Sequence, residues 1–166
     1  MGRRLLLNLL LLAVAIGLAL FIYLQAGKTP ETGPGTISAV DPGTVTSIHL
    51  SRLQAEPIEF SKRDGRSVIQ GDPELPADDF QVGTLLALAS AQPDRHYPAD
   101  TLDPQPMGLQ PPQATALLGD ARFDIGNTDP LDKRPYVLAG ATVYLVRDRF
   151  QHLLNARYIN FVERRL

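Results

Sequence analysis

The chain has 166 residues, a formal charge of −2 and no cysteine. The missing thiols exclude a disulfide framework, a cysteine nucleophile and lipoprotein processing. Arg3 and Arg4 are two of the 16 basic residues, so the rest of the chain carries 14 against 18 acidic ones, a balance that argues against a nucleic-acid partner.

Residues 1–25 read as a cytoplasmic tip and a transmembrane anchor. Leu5 to Leu24, "LLLNLLLLAVAIGLALFIYL", is free of charge, with Asn8 its single polar side chain. As a helix it spans roughly 30 Å, the thickness of the bilayer's hydrocarbon core. The apolar core of a cleaved signal peptide is shorter, about 7–15 residues. Cleavage after Ala26 would also set bulky Leu24 where a small residue is needed. Arg3 and Arg4 precede the run while Lys28 and Glu31 follow it, so the N-terminus is expected in the cytoplasm of a bacterium and the rest in the periplasm. The lipid bilayer is then a partner through residues 5–24.

Residues 26–36, "AGKTPETGPGT", read as a flexible linker of Gly, Pro, Thr and charge. The "GKT" at 27–29 imitates a phosphate-binding loop. Ile22 stands where that motif needs glycine, and Pro30 blocks the helix that must open there.

Residues 37–166 are expected to form an extracytoplasmic α+β domain. In "VTSIHLSR" (45–52), Ile48 and Leu50 share one strand face. In "PIEFSKRDGRSVIQ", Ile58 and Phe60 alternate with Glu59 and Ser61, Asp64-Gly65 turns the chain, and Val68 and Ile69 return. Asp-Gly between such segments marks a hairpin. A helix is predicted over "PADDFQVGTLLALASAQ". Asp78 and Asp79 fall in its first turn, Val82, Leu85, Leu86 and Ala89 on one face, and Pro93 stops it. Gly83 is expected to mark a close approach.

Residues 93–112 carry six prolines and read as an irregular connector, with Leu102, Met107 and Leu109 turned onto the core. Strands resume at "ATALL" (114–118), turn at Gly119-Asp120, and return as "ARFDIG". "PYVLAG" and "TVYLVRD" follow, joined at Gly140-Ala141, with Val143 and Leu145 on one face and Tyr144 and Val146 on the other. "RFQHLLNARYINF" repeats apolar residues at Phe150, Leu153, Leu154 and Tyr158 and reads as a short helix before an extended tail. Hairpins without βαβ units imply a mainly antiparallel β-sheet with one packed helix and a short C-terminal helix, behind the N-terminal transmembrane helix.

The densest polar stretch is "RFDIGNTDPLDKRPYVLAG", Arg122 to Gly140. A calcium loop needs oxygen ligands at alternate positions, but Gly126 and Thr128 break that register after Asp124. A looser site would use Asn127, Asp129 and Asp132. "Asp-Ile-Gly" at 124–126 is similar to the catalytic triplet of small aspartic proteases, but Ile125 replaces the expected hydroxyl, and that chemistry needs two carboxylates sharing a proton. The simpler reading is a hairpin, with Asp124 pointing to water and Gly126 to Asp132 turning the chain. His49, His96 and His152 fit no metal spacing. His49 lies on the strand face opposite Ile48 and Leu50. His96, Tyr97 and Met107 could line a groove, and Arg164 and Arg165 read as a solvated tail. No residue set emerges as catalytic, cofactor-binding or metal-ligating.

The order of pieces resembles bacterial proteins of the domain-of-unknown-function family number 4340. The resemblance rests on "RRLLLNLLLLAVAIGLAL", "ISAVDPGTVTSIHLSR", "ELPADDFQVGTLLAL", "MGLQPP" and "FDIGNTDPLDKRPYVLAGATVYLV". One departure is that the family commonly has tryptophan after the Asp-Gly turn, where this chain has Ser67 and Val68. The resemblance implies a membrane-tethered extracytoplasmic domain, in some relatives an accessory of ABC-type export or gliding systems, and it carries no established catalytic residues. The expected role is therefore non-enzymatic, protein–protein contact or assembly with a membrane or periplasmic protein. The alternatives are a ligand-binding module and an Asp124-dependent hydrolase.

Overall fold

The computed structural model describes residues 35–71, 73–147, 152 and 156–163. The anchor at 5–24, most of the linker, Phe150, Leu153, Leu154 and Arg164–Arg165 lie outside those residues. No helix among the described residues is long and apolar enough to cross a membrane.

Among the described residues nine strands form one sheet: β1 (Ser47–Arg52), β2 (Ala55–Arg63), β3 (Arg66–Ile69), β4 (Leu75–Pro76), β5 (Pro93–Pro98), β6 (Ala114–Leu118), β7 (Ala121–Thr128), β8 (Pro135–Ala139) and β9 (Thr142–Val146). Their order across the sheet is β4-β3-β2-β1-β6-β7-β8-β9-β5. Every neighbouring pair is antiparallel. The mainly antiparallel sheet with one helix is thus as expected.

The hairpin turns follow from residues that tolerate a left-handed backbone. Asp64 and Gly65 have φ of 51° and 79°, which lets Arg63 pair with Arg66 in a two-residue turn. Gly119 and Gly140, each at φ 60°, close β6–β7 and β8–β9.

The core lies on one sheet face. Ile48, Leu50, Ile58, Phe60 and Ile69 from β1–β3 join Ala116, Leu118, Phe123, Ile125, Val137 and Val146 from β6–β9. Helix α1 (Asp79–Leu86) and the turns after it add Val82, Leu85, Leu88 and Ala89. Ile69 is fully buried opposite Phe60, so β3 contributes to the core. Val143, Leu145 and Leu109 are buried outside that cluster. The expected division of β9 into two faces therefore holds.

Several details depart from expectation. Asp78 sits before the helix rather than in its first turn. Its carboxylate caps the helix by accepting from Phe80 N–H and Gln81 N–H at 2.9 and 3.1 Å. The helix ends at Leu86, well before Pro93. Beyond it the chain tightens into i→i−3 bonds, from Leu88 to Leu85 and from Ala89 to Leu86. Gly83 faces open space, so no close approach explains it.

Residues 93–98 are a strand rather than irregular chain. Prolines at both ends of β5 suit an edge, where missing N–H groups cost no ladder bond. Leu109 is buried, as expected of the connector, while Leu102 and Met107 are half-buried. Near the C-terminus, Tyr158–Phe161 is a 3-10 turn. Phe161 is fully buried, edge-on to Phe60 with centroids 5.5 Å apart.

Candidate functional site

In the Arg122–Gly140 stretch, β7 continues through Gly126, Asn127 and Thr128, so the turn is Asp129 to Arg134 rather than Gly126 to Asp132. Gly126 allows this. A β-carbon there would stand 2.2 Å from the Met107 carbonyl oxygen, so only glycine lets the connector lie against the strand. Asn127 N–H donates to that carbonyl, and its side-chain amide donates to Pro106 O at 3.2 Å.

Asp124 does not point to open water. It is buried on the face opposite Phe123 and Ile125, accepting from Thr115 Oγ1 at 2.6 Å and from Arg122 Nε at 3.0 Å. The mostly exposed Arg122 folds over it, so the carboxylate's charge is already matched.

Asp129 organises the loop after β7. Its Oδ1 accepts from Leu131 N–H and Asp132 N–H at 2.9 and 2.8 Å, and its Oδ2 accepts from the Tyr136 hydroxyl. These bonds, the Asp132 N–H first, hold its carboxyl below the usual range. Burial and the adjacent Asp129 carboxylate push the Tyr136 phenol up to about 12. Arg95 pairs with Asp132 at 2.9 Å, and Arg134 with Asp94 at 3.2 Å. Asn127, Asp129 and Asp132 thus serve three different local contacts. No group of three possible metal ligands gathers among the described residues.

The histidines stay apart. His49 meets Glu59 at 3.1 Å across β1–β2. His96 packs against Tyr144, with ring centroids 6.1 Å apart. His152 is exposed. His96 and Tyr97 are consecutive in β5 and point to opposite faces, so they do not line one groove with Met107.

A different cleft, about 660 Å³ and open to solvent, lies where β1, β2, β6 and β7 end beside residues 156–158. Pro57 contributes no N–H to β2, and the β1–β2 register shifts between Leu50 and Arg52. Strand alternation places Arg52 on the same face as Ile48 and Leu50, the buried one. Its guanidinium reaches the cleft half-buried, with one Nη donating to Ala156 O and the other to Glu56 O at 3.0 Å. Its Nε is buried with no hydrogen-bond partner. Burial lowers the Arg52 pKa from its usual value, but arginine keeps its charge. Arg157, Gln54, Gln113 and Asn127 also line this space. Leu53 is 53% exposed and Tyr158 40% at the cleft, and Ile159, beside Tyr158, is 63% exposed. The groove along β3 and β4 contrasts with it, because its Arg63 is matched by Glu74 at 2.9 Å.

No sequence motif marks this cleft. Its one local signal is an arginine at the buried parity of an apolar strand.

No protein-family model matches this chain, and no curated protein or solved structure is similar to it.

Proposed function

We propose that this chain is a single-pass protein of a bacterial inner membrane whose periplasmic domain serves protein–protein contact or assembly. The structural observation that carries the reading is the grouping of exposed apolar side chains. Three of the five exposed large hydrophobic residues among those described, Leu53, Tyr158 and Ile159, lie at or beside one cleft. Such a grouping is what a surface meant for contact presents. The charge-free run at 5–24, with Arg3 and Arg4 before it, supports the tether and its direction. The resemblance to the family named above supports an accessory role, including assistance to an ABC-type transport system.

A ligand-binding module is the second reading, favoured by the size of the same cleft, which falls within the roughly 300–1,000 Å³ of ordinary ligand sites. The hydrolase reading has no comparable support, because Asp124 spends its oxygens on Arg122 and Thr115.

The absence of cysteine makes the topology testable with a single thiol. Leu131 is 89% exposed at a loop tip, so Leu131→Cys leaves the fold intact. A membrane-impermeant maleimide applied to cells with permeabilised outer membranes is expected to label this variant fully. Labelling only after the inner membrane is broken would place the domain in the cytoplasm and end the reading.

A further inference from the structure

Among the described arginines, Arg63, Arg95, Arg122, Arg134 and Arg147 each pair with a carboxylate, and Arg66 and Arg157, which do not, are exposed to water. Arg52 is half-buried and pairs with none. Glu56, the acid nearest in the chain, meets it through a main-chain carbonyl. Two of its five donors are used, both on neutral carbonyls. A guanidinium taken partly out of water is stabilised by an anion that compensates it, and its planar fork matches a carboxylate best. Arg157 adds a second positive charge to the same walls and Glu56 one negative charge, which leaves the lining net positive.

The rim narrows the class of anion. Leu53 and Tyr158 add exposed apolar surface to the same lining. A small inorganic anion would leave that surface in water. An extended peptide places alternate side chains to opposite sides, so one carboxylate can point in while its neighbours lie across Leu53 and Tyr158.

We propose that the cleft at Arg52 receives an extended segment of a partner protein in which a carboxylate lies beside apolar residues. This assignment rests on the protein–protein reading above and names the chemistry of the partner.

The test uses the full chain in its native membrane, with a photo-reactive benzoylphenylalanine at Gln54 inside the cleft or, separately, at Phe80 on the distant helix. Captured peptides are sequenced. The Gln54 probe is expected to capture a segment with Asp, Glu or a chain-terminal carboxylate beside apolar residues. Leu53→Glu adds a repelling charge at an exposed position and is expected to cut that capture about tenfold or more, while Leu53→Lys retains it. Equal urea midpoints for both variants and the parent chain confirm that the fold is unchanged. Equal loss in both variants would mean a purely apolar contact and overturn the proposal, as would capture of a lipid or of a segment lacking carboxylates. Capture at Phe80 with none at Gln54 would sink the cleft assignment and leave the partner-binding reading standing. Silence at both positions would sink both.

Discussion

Tyr136 and Asp129 share a contact that sets an alkaline limit on the fold. The phenol donates to the carboxylate, and the folded state raises its pKa from 10 to about 12. Folding therefore favours the protonated phenol. That contribution is complete below pH 10 and disappears as the pH rises past 12. The carboxyl of Asp129 shifts the other way, so its contribution is complete above its ordinary 3.8 and is lost as the pH falls below that. In a spectrophotometric titration at alkaline pH, Tyr136 should ionise late, near 12, and Tyr136→Phe should remove that step. If the late step survives in the variant, it belongs to another tyrosine and the contact does not govern it. At this scale the sequence was partly legible. Turn chemistry placed Asp129-Pro130 within a turn, and the Asp129 carboxylate does bind the N–H groups of its own loop. Asp124 was misread because alternation tells which face a residue takes, but not whether something on that face covers it. Arg122 does so from two residues away on the same strand.

Among the elements, the 3-10 turn Tyr158–Phe161 matters more than its length suggests. Phe161 enters the core beside Phe60, and its carbonyl accepts from Asp78 N–H at 2.7 Å. Val162 then bridges Ala77, and Glu163 N–H donates to Pro76 O. One short turn thus ties β4, the start of α1 and the core together. Phe161→Ala is expected to destabilise the domain by about 3–5 kcal/mol, since it empties a site that cannot collapse without moving the sheet. Phe161→Leu should cost less. Urea unfolding of both variants measures this, and a loss below about 1 kcal/mol for the alanine variant would show the turn to be a loose attachment. This turn was invisible to periodicity because a single aromatic residue makes no repeat. Strand β5 was hidden for another reason, since its prolines and charges read as loop. They are tolerated because nothing pairs with its outer side in this sheet. The hairpins were legible because Asp64-Gly65, Gly119 and Gly140 each occupy a backbone region that few residues enter.

Across the whole molecule, chain order and sheet order disagree at two places. After β4, at one edge, the chain crosses by way of α1 to β5 at the opposite edge. It then returns to the middle, where β6 lies against β1 with Ile48 paired to Leu118. Pairings this distant in sequence must close long loops before any contact rewards them. Refolding of the urea-unfolded chain should accordingly fall in the range of milliseconds to seconds or slower, as for other sheets dominated by distant contacts. Stopped-flow fluorescence of the tyrosines would measure it, and loss of the full amplitude within the mixing time would contradict it. The crossing was not legible because hairpin signals specify neighbours two strands at a time. They do not say which free edge a returning chain will choose.

The early position of β5 has a consequence for the chain as it is being made. Synthesis produces β5 before β6, β7, β8 and β9, its one neighbour among the described strands. During that interval β5 is a strand without a place to dock, on a polypeptide whose apolar face is still open. Prolines at both of its ends and the adjacent charges of Asp94 and Arg95 make it a poor template for any wrong strand that drifts by. The same six residues that blunt the finished edge also keep the unfinished chain from closing on itself too soon.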